Sequence, residues 1–409
     1  MKVAGIIAEY DLFHNGHAAQ IEMLKTEYGV DCVVVCLSSA LVQRGSPALL
    51  PDSVRAAAAL GGPRQARADL VIALPAPYAS ATAQQFAAAG VHLLAGIGCD
   101  LLAFGAETPD TAAIRRAAQL LESEECDQLI REFLEQKDGS GYAVCRQRAL
   151  ATLAPELEHL LENPNDNLGV EYCAAILRLN KQLQPQALPR LGALHSDRVI
   201  TGSICSGTAL RAAWAQQGPA AAQGVTPPHA AQLYRQAWEQ GLDIDPLRLD
   251  VALLSRLRAR AGEGPKGFAD LRGLSEGIEH RLCEAVQKAA TMEQVYDAVT
   301  TRRYPRARVR RLCLDAALGY GLGARETDLR VPPLPPYARI LGATPVGVSV
   351  LGRTKLPTDA SLARLTHITA DCARAARTEC AAADLAALCR RTPGAMGTAF
   401  TEKPIFTKE

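Results

Sequence analysis

Residues 3–25 read VAGIIAEYDLFHNGHAAQIEMLK, an apolar run followed by a histidine-containing turn and then a helical pattern. Val3–Ala8 predicts a short buried strand, since its apolar and small residues lead directly into a turn that contains Gly16. The helical pattern begins near His17. A strand, a turn and a helix in this order predict the opening unit of an α/β domain, with the helix N-terminus facing the end of the strand.

The next part of the chain repeats this alternation. Apolar runs predict buried strands at 32–37, 70–74 and 101–104, and helical patterns cover 52–60 and 81–95. Strands that alternate with helices in this way form βαβ units around a parallel sheet. We therefore predict a Rossmann-like α/β domain.

The remainder of the chain is mostly helical in pattern, with a loop predicted at 163–167 and one further strand at 187–193. A shift of composition toward Gln, Ala, Gly and Pro at 217–225 indicates a domain boundary. The predicted organisation has a first domain at 1–215 with a helical insertion at about 108–162, a helical domain at 226–325, and a small C-terminal α/β or helical segment at 326–409.

The composition is that of a globular protein, with 48% hydrophobic and 21% charged residues. The net charge of +1 gives no overall attraction to nucleic acid or anionic lipid, so such attraction has to come from a local patch. The 12 cysteines are scattered and form no CxxC pair, which favours reduced thiols over a disulfide framework or a zinc site. Glu9 interrupts the first apolar run, which excludes a signal peptide, and we predict a cytoplasmic protein without a membrane segment.

The two histidines of the first turn are the strongest candidates for chemistry. His14 and His17 flank the start of a helix, whose N–H groups and positive dipole end favour phosphate, and Gly16 lets the backbone approach a ligand closely. Protonated or donor-tautomer imidazoles at these positions stabilise the charge that builds on a phosphate under attack. A zinc site is the alternative, but only Glu9 and Asp11 are nearby as further ligands, so we favour phosphate binding.

Arg44 is a third catalytic candidate. Gln43-Arg44-Gly45 follows the second predicted strand, on the same edge of the sheet as the histidines. The planar guanidinium of Arg44 suits a phosphate or a carboxylate such as acetate.

A run of arginines near residue 305 is the most basic part of the chain. Six arginines lie within ten residues, with Tyr304 among them and no acidic residue between them. Such a run suits contact with a phosphate backbone, and the alternative is a solvated helix end that pairs with acids elsewhere. The predicted nucleic-acid contacts are Arg302, Arg303, Arg306, Arg308, Arg310 and Arg311.

Several segments, taken in order, resemble one known family. The opening run 5–25 is accompanied by VQRGSPA, ADLVIALP, FGAE, NPNDNLGVEY, SGTALR, TRRY and ARILG, at 42–48, 68–75, 104–107, 163–172, 206–211, 301–304 and 338–342. These segments are similar to motifs of the bacterial tRNA(Met) cytidine acetate ligases, a branch of the HxGH nucleotidyltransferases. The resemblance covers most of the chain.

The resemblance implies a two-step reaction. ATP and acetate give acetyl-adenylate and pyrophosphate, and the acetyl group then passes to N4 of the wobble cytidine of elongator methionine tRNA. Mg²⁺ is expected to accompany ATP by bridging its phosphates, without an identified protein ligand. Matching positions imply ATP contacts at Ile7, Ala8, Glu9, Tyr10, Asp11, Leu12, Phe13, His14, Asn15, Gly16, His17, Ala18, Ala19, Gln20, Gly105, Asn165 and Arg190.

The sequence also departs from the family pattern. Asp11-Leu12 replaces an Asn-Pro pair, and the other departures fall at Ser38-Ser39, Ser53, Ala73 and Asp166. Ser53 replaces a lysine and Ala73 replaces a glutamate. Two alternatives to the ligase therefore stay open, namely an adenylyltransferase that acts on a small phosphorylated cofactor precursor, and a catalytically weak RNA- or nucleotide-binding protein.

Overall fold

A computed structural model describes residues 1–136, 140–190, 200, 202–274, 277–321 and 329–407. The first hundred residues alternate between strands and helices, as the sequence predicts. Their elements are β1 Val3–Ala8, α1 Asn15–Thr26, β2 Cys32–Ser38, β3 Leu41–Val42, β4 Ser46–Pro47, α2 Asp52–Leu60, β5 Leu70–Leu74, α3 Ala76–Ala79, α4 Ala83–Ile97 and β6 Leu101–Ala106.

The middle of the chain is helical apart from a few short strands. Its elements are α5 Thr111–Leu121, α6 Glu124–Glu135, α7 Tyr142–Leu153, α8 Pro164–Arg178, β7 Gln184–Pro189, α9 Gly207–Gln217, α10 Pro228–Glu239, α11 Pro246–Ala261, α12 Ile278–Lys288, α13 Met292–Val299, α14 Arg306–Leu318, β8 Tyr320–Gly321 and β9 Leu329–Arg330. The last part contains β10 Ala338–Ala343, α15 Pro345–Val350, β11 Thr358–Asp359, α16 Leu362–Leu365, α17 Ala370–Leu388 and β12 Ile405–Phe406.

Five parallel strands form the centre of the main sheet, in the order β5-β2-β1-β6-β7. The chain runs outward from β1 to β2 and β5, and then returns to place β6 on the other side of β1. This is the strand order of a Rossmann-like sheet, and the predicted fold class is confirmed. Ligands bind beyond the carboxyl ends of such strands at the point where the order reverses, which here lies between β1 and β6.

Burial explains why these segments form the central strands. Every residue of β2 (CVVVCLS) and of β5 (LVIAL) is buried, as expected for parallel strands that are covered on both faces. One face of the sheet packs on a core that includes α4, α5 and α8, and the other face packs on α1, α2, α9 and α10. A third core lies among α11–α14, in the region predicted to be helical.

The predicted loop at 163–167 is wrong, because Asn163 is the N-cap of α8 and residues 164–167 form its first turn. Pro164 occupies the start of the helix, where its missing N–H costs nothing. The Glu107 carboxylate then accepts the backbone N–H groups of Asn165 and Asp166, each at 3.1 Å. A residue distant in sequence thus caps a helix that the local pattern does not reveal.

The last predicted strand of the first domain lies earlier than expected. The sequence predicts it at 187–193, whereas β7 spans Gln184–Pro189, and 191–193 lie outside the described residues.

The C-terminal part of the chain shares the main sheet. Strand β10 lies antiparallel to β5, and both β11 and β12 pair with β10, which makes a sheet of eight strands within the described residues. The strands within 338–406 are therefore joined to the sheet that the first 190 residues form. The division into 1–215, 226–325 and 326–409 stays a prediction.

Helix α15 packs so closely on the start of β5 that only glycine fits at position 347. A Cβ on Gly347 would lie 2.5 Å from the carbonyl carbon of Asp69, and nearer still to its oxygen. We expect Gly347→Ala to lower the free energy of unfolding by about 1–3 kcal/mol, because the helix has to move away from β5. Urea denaturation followed by circular dichroism measures this change.

The matched control is Gly352→Ala. Nothing lies within 4 Å of a Cβ at this exposed position, so the change in unfolding free energy should stay within about 0.5 kcal/mol. Equal denaturation midpoints for the two variants would contradict the close packing of α15.

Candidate active site

A cavity of about 330 Å³ opens at the carboxyl ends of β1 and β6, where the strand order reverses. Its walls come from the β1–α1 turn, the hairpin of β3 and β4, the end of β6, and the starts of α8 and α9. The lining residues are Ile6, Ile7, Ala8, Glu9, Tyr10, Asp11, Leu12, His14, Gly16, His17, Gln20, Met23, Gln43, Arg44, Phe86, Phe104, Gly105, Pro164, Asn165, Leu168, Tyr172, Pro189, Arg190, Ile204, Cys205, Gly207 and Arg211.

The N-termini of three helices border this cavity. Gly16 and His17 belong to the first turn of α1, Asn165 to that of α8, and Gly207 to that of α9. Ser206 is the N-cap of α9, and its hydroxyl accepts the Ala209 N–H. The starts of α1 and α9 carry partial positive charge, which suits the cavity to a polyanion, whereas at α8 the Glu107 carboxylate already accepts the Asn165 and Asp166 N–H groups.

The two imidazoles are stacked against each other. Their ring centroids are 3.7 Å apart with an interplanar angle of 20°. The backbone N–H of His14 donates to Nδ1 of His17 at 3.2 Å. Since Nδ1 of His17 is an acceptor, the neutral ring carries its proton on Nε2 and offers one N–H donor.

Both histidines are held neutral. Burial lowers the pKa of His14 to about 3, and the charges of Arg190 and Arg211 lower it further in the same direction. The pKa of His17 is also lowered well below its ordinary value, by burial first and then by His14 and the two arginines. Of the two forms considered from the sequence, the geometry therefore favours the neutral donor tautomer over the protonated ring.

Arg44 lies in the same cavity as the histidines, where its Nη2 donates to the Thr208 hydroxyl at 3.1 Å. The neighbouring Gln43 N–H donates to Oε1 of Glu9 at 2.8 Å. Burial raises the pKa of the Glu9 carboxyl, while Gln43 and the charges of Arg44 and Arg211 oppose that rise. The hairpin tip is thus tied both to the end of β1 and to the start of α9.

Gly105, Asn165 and Arg190 meet on the β6 side of the cavity. The Asn165 side-chain amide donates to the Glu107 carboxylate, which holds the amide at the cavity wall. The Arg190 N–H donates to the Ala106 carbonyl at 3.3 Å, and the Arg190 Cγ would lie 3.4 Å from a Cβ on Gly105. A side chain at 105 would therefore come into contact with the arginine.

Four of the predicted ATP contacts do not line the cavity, although they lie in the same turn and helix. Phe13 is fully buried, and its N–H donates to the Tyr234 hydroxyl at 2.8 Å. The Asn15 side-chain amide donates to the carbonyls of Ser203 and Gly224, so it ties the turn to the segments before α9 and before α10. The remaining two are Ala18 and Ala19.

Sequence reasoning did not single out two arginines that shape the site. Arg211 lines the cavity, and its Nη1 donates to the Asp11 carbonyl at 2.6 Å. The segment SGTALR that ends at Arg211 was the signal that could have found it. Arg55 is fully buried and donates to the carbonyls of Glu9 and Ser38 at 2.6 and 2.8 Å. In the sequence, only its position as a charged residue next to the alanines of α2 hinted at a special role.

The predicted arginine run lies at the start of α14 and in the turn before it. Arg302 and Arg303 are exposed. Arg306 forms ion pairs with Glu293 and with Asp297. This part of the run is therefore a helix end paired with acids, which was the alternative to nucleic-acid contact. The other three are half-buried, namely Arg308, Arg310 and Arg311.

No group of three His, Cys, Asp or Glu side chains in the described ranges is placed to hold a metal ion. All 12 cysteines are free and buried. Among the helices that the structure describes, none has the length and apolar character needed to cross a membrane.

Comparison with known proteins matches the chain to the family model for HIGH nucleotidyl transferases over residues 1–396. A tRNA(Met) cytidine acetate ligase from Syntrophotalea carbinolica is 33% identical, over 89% of this chain and 86% of its own length. A second, from Acetivibrio thermocellus, is 30% identical over 99% of this chain and 100% of its own length. The chain belongs to the HIGH nucleotidyl transferase family and, within it, to the tRNA(Met) cytidine acetate ligases.

The fold is also that of a protein of known crystal structure. The crystal structure of apo Thermotoga maritima TmcAL superposes with a TM-score of 0.89 at 24% identity, and the match covers 100% of both chains. A second crystal structure of that protein, bound with alpha-thio ATP, has a TM-score of 0.87 at 24% identity.

One departure from the tRNA(Met) cytidine acetate ligase pattern has a visible structural role. Asp11 takes the place of the expected asparagine, and its Oδ1 accepts the Leu49 N–H at 2.7 Å. Its other oxygen lies 3.8 Å from Nη1 of Arg211. The substituted residue therefore anchors both the loop before α2 and a cavity arginine.

The buried neutral His14 makes stability depend on pH. Below about pH 6.5 the unfolded chain binds a proton at this imidazole that the folded protein does not bind, so folding weakens as the pH falls. We expect the loss of unfolding free energy between pH 7 and 5 to be smaller in His14→Asn by about 2 kcal/mol. Urea denaturation at pH 7, 6 and 5 measures both slopes.

The control is His159→Asn, since this ring is exposed to water in both the folded and the unfolded state. It should keep the slope of the unsubstituted protein. If His14→Asn also keeps that slope, the histidine is not held neutral by the fold.

Proposed function

We propose that this protein is an ATP-dependent acetate ligase that acetylates N4 of the wobble cytidine of elongator tRNA(Met). One observation carries the proposal: a cavity at the switch point of the sheet brings both histidines, three helix N-termini and Arg44, Arg190 and Arg211 together. Membership of the tRNA(Met) cytidine acetate ligases supplies the reaction type. The α-thio ATP complex of Thermotoga maritima TmcAL, which shares this fold, supports ATP as the nucleotide.

In the first step an acetate oxygen attacks the α-phosphorus of ATP, and pyrophosphate leaves. Negative charge builds on the equatorial oxygens of the phosphorus, where the Nε2–H of His17 and the start of α1 supply fixed donors. Neutral imidazoles provide these donors without releasing a proton. We assign His14 and His17 to the α-phosphate and the pyrophosphate leaving group.

Arginines complete this first site. Arg44, bonded to Thr208, is placed to hold acetate or a terminal phosphate with its planar fork. We assign the other ATP contacts to the remaining cavity-lining residues of the predicted set, together with Asn165 and Arg190. Mg²⁺ would accompany ATP and would offset part of its phosphate charge, and no set of three His, Cys, Asp or Glu ligands for it lies among the described residues.

In the second step the cytidine N4 attacks the acetyl carbon of the adenylate. The new N–C bond forms, the bond from the acetyl carbon to the phosphate oxygen breaks, and AMP leaves while the amine loses one proton. This step needs the tRNA to reach the mouth of the cavity. We propose that the exposed arginines before α14, Arg302 and Arg303, contact its backbone, and that the rest of the predicted arginine run supports that surface.

The alternatives differ from the ligase in what they require. An adenylyltransferase of a small cofactor precursor has no use for a long helical region with an arginine-rich surface beside the site. A binding protein without catalysis has no use for paired neutral donors at the start of α1. We also propose that the enzyme works in the cytoplasm, where its tRNA is.

Acetate-dependent exchange between ATP and labelled pyrophosphate tests the first step directly. We expect exchange with a small carboxylate, and a loss of at least about a hundredfold in His17→Ala, as for removal of one donor to a developing anion. The control His159→Ala removes an exposed histidine outside the cavity and should keep the exchange rate. Tight ATP binding without exchange for any carboxylate would refute the ligase and favour the binding protein.

A further inference from the structure

The hairpin of β3 and β4 joins the cavity to the arginine-bearing helix. Gln43 and Arg44 at its tip line the cavity. Leu41, two residues before Gln43, is buried in the core of the helical region together with Val309 and Leu312 of α14. The same short segment therefore belongs to both parts of the molecule.

Gly45 is the point of closest approach. A Cβ at this position would lie 2.7 Å from the Arg311 backbone nitrogen and 2.8 Å from the Arg310 carbonyl carbon. Its φ of +80° is also one that residues with a side chain rarely adopt. Backbone meets backbone here, so neither partner can move aside by a change of rotamer.

Arg311 faces the hairpin. Its Nη1 donates to the Gln43 carbonyl at 3.2 Å, and its side chain is half-buried. This geometry sets it apart from Arg302, which is exposed in the turn before α14. Through this hydrogen bond Arg311 fixes the distance between α14 and the hairpin tip.

We propose that Gly45 and Arg311 are positioning residues that hold the tRNA-binding surface of α14 in register with the cavity, and so serve acetyl transfer. The inference rests on the proposed function, and it assigns these two residues to the second step, acetyl transfer, and not to adenylate formation. Adenylate formation uses groups inside the cavity, whereas transfer also needs the acceptor cytidine to meet the acetyl carbon. A small shift of α14 that leaves the hairpin tip in place affects only the second requirement.

The test compares Arg311→Ala and Gly45→Ala with Arg302→Ala. Acetate-dependent pyrophosphate exchange reports the first step, and single-turnover acetyl transfer to saturating methionine tRNA reports the second. For both positioning variants we expect transfer to fall at least about tenfold more than exchange, as for a misplaced reacting group. Arg311→Ala serves alone if Gly45→Ala fails to fold.

The salt dependence of tRNA binding separates positioning from a phosphate contact. Loss of one phosphate contact lowers the slope of log K against log salt by roughly 0.7–0.9. We expect that decrease in Arg302→Ala, whose transfer defect should disappear at saturating tRNA, and an unaltered slope in Arg311→Ala.

Two results would overturn the inference. If Arg311→Ala shows the same decrease in salt-dependence slope as Arg302→Ala, and its acetyl-transfer defect also disappears at saturating tRNA, Arg311 is an RNA contact. If exchange and transfer fall in parallel, the hairpin only supports the cavity. Failure of the proposed function is distinct from both, because the unsubstituted protein would then show no exchange, and the division into two steps would fall with it.

Discussion

The buried guanidinium of Arg55 joins the ends of β1 and β2 and holds the turn from which one wall of the cavity is built. It donates to the carbonyls of Glu9 and Ser38, which follow β1 and end β2, and to those of Ser39 and Leu50. Carbonyl groups beyond the end of a strand have no ladder partner, and in a buried position each would be costly. One side chain satisfies three such groups at the ends of β1 and β2, together with the Leu50 carbonyl before α2, and so fixes the turn after β1 that forms one wall of the cavity.

Burial and nearby arginines together set the charge state of the cavity. Arginines supply permanent positive charge at its walls, and burial together with that charge keeps the two imidazoles neutral. A site with more positive charge would attract ATP more strongly but would also hold pyrophosphate after it has formed. Neutral donors stabilise charge as it develops and release the product more readily.

Much of this architecture was predictable from sequence because it rests on local patterns. The buried runs that became β2 and β5 have no other stable place than the centre of a parallel sheet, and the turn at His14 and Gly16 follows β1 directly. Contacts between distant residues were not predictable. The start of α8 depends on Glu107, and Arg55 has no pattern that marks it as the support of two strand ends. The turn toward Tyr234 that carries Phe13 away from the cavity is likewise invisible in the local sequence.

The antiparallel strand β10 has a consequence for how the chain acquires its structure. A ribosome produces β5 long before residues 338–343, yet these residues form the neighbour that covers the edge of β5. Throughout that interval the nascent sheet presents an uncovered row of N–H and C=O groups beside fully apolar side chains, the kind of edge on which chains associate wrongly. The main sheet is therefore completed only late in synthesis, and until then its open edge is a site at which wrong pairing can occur.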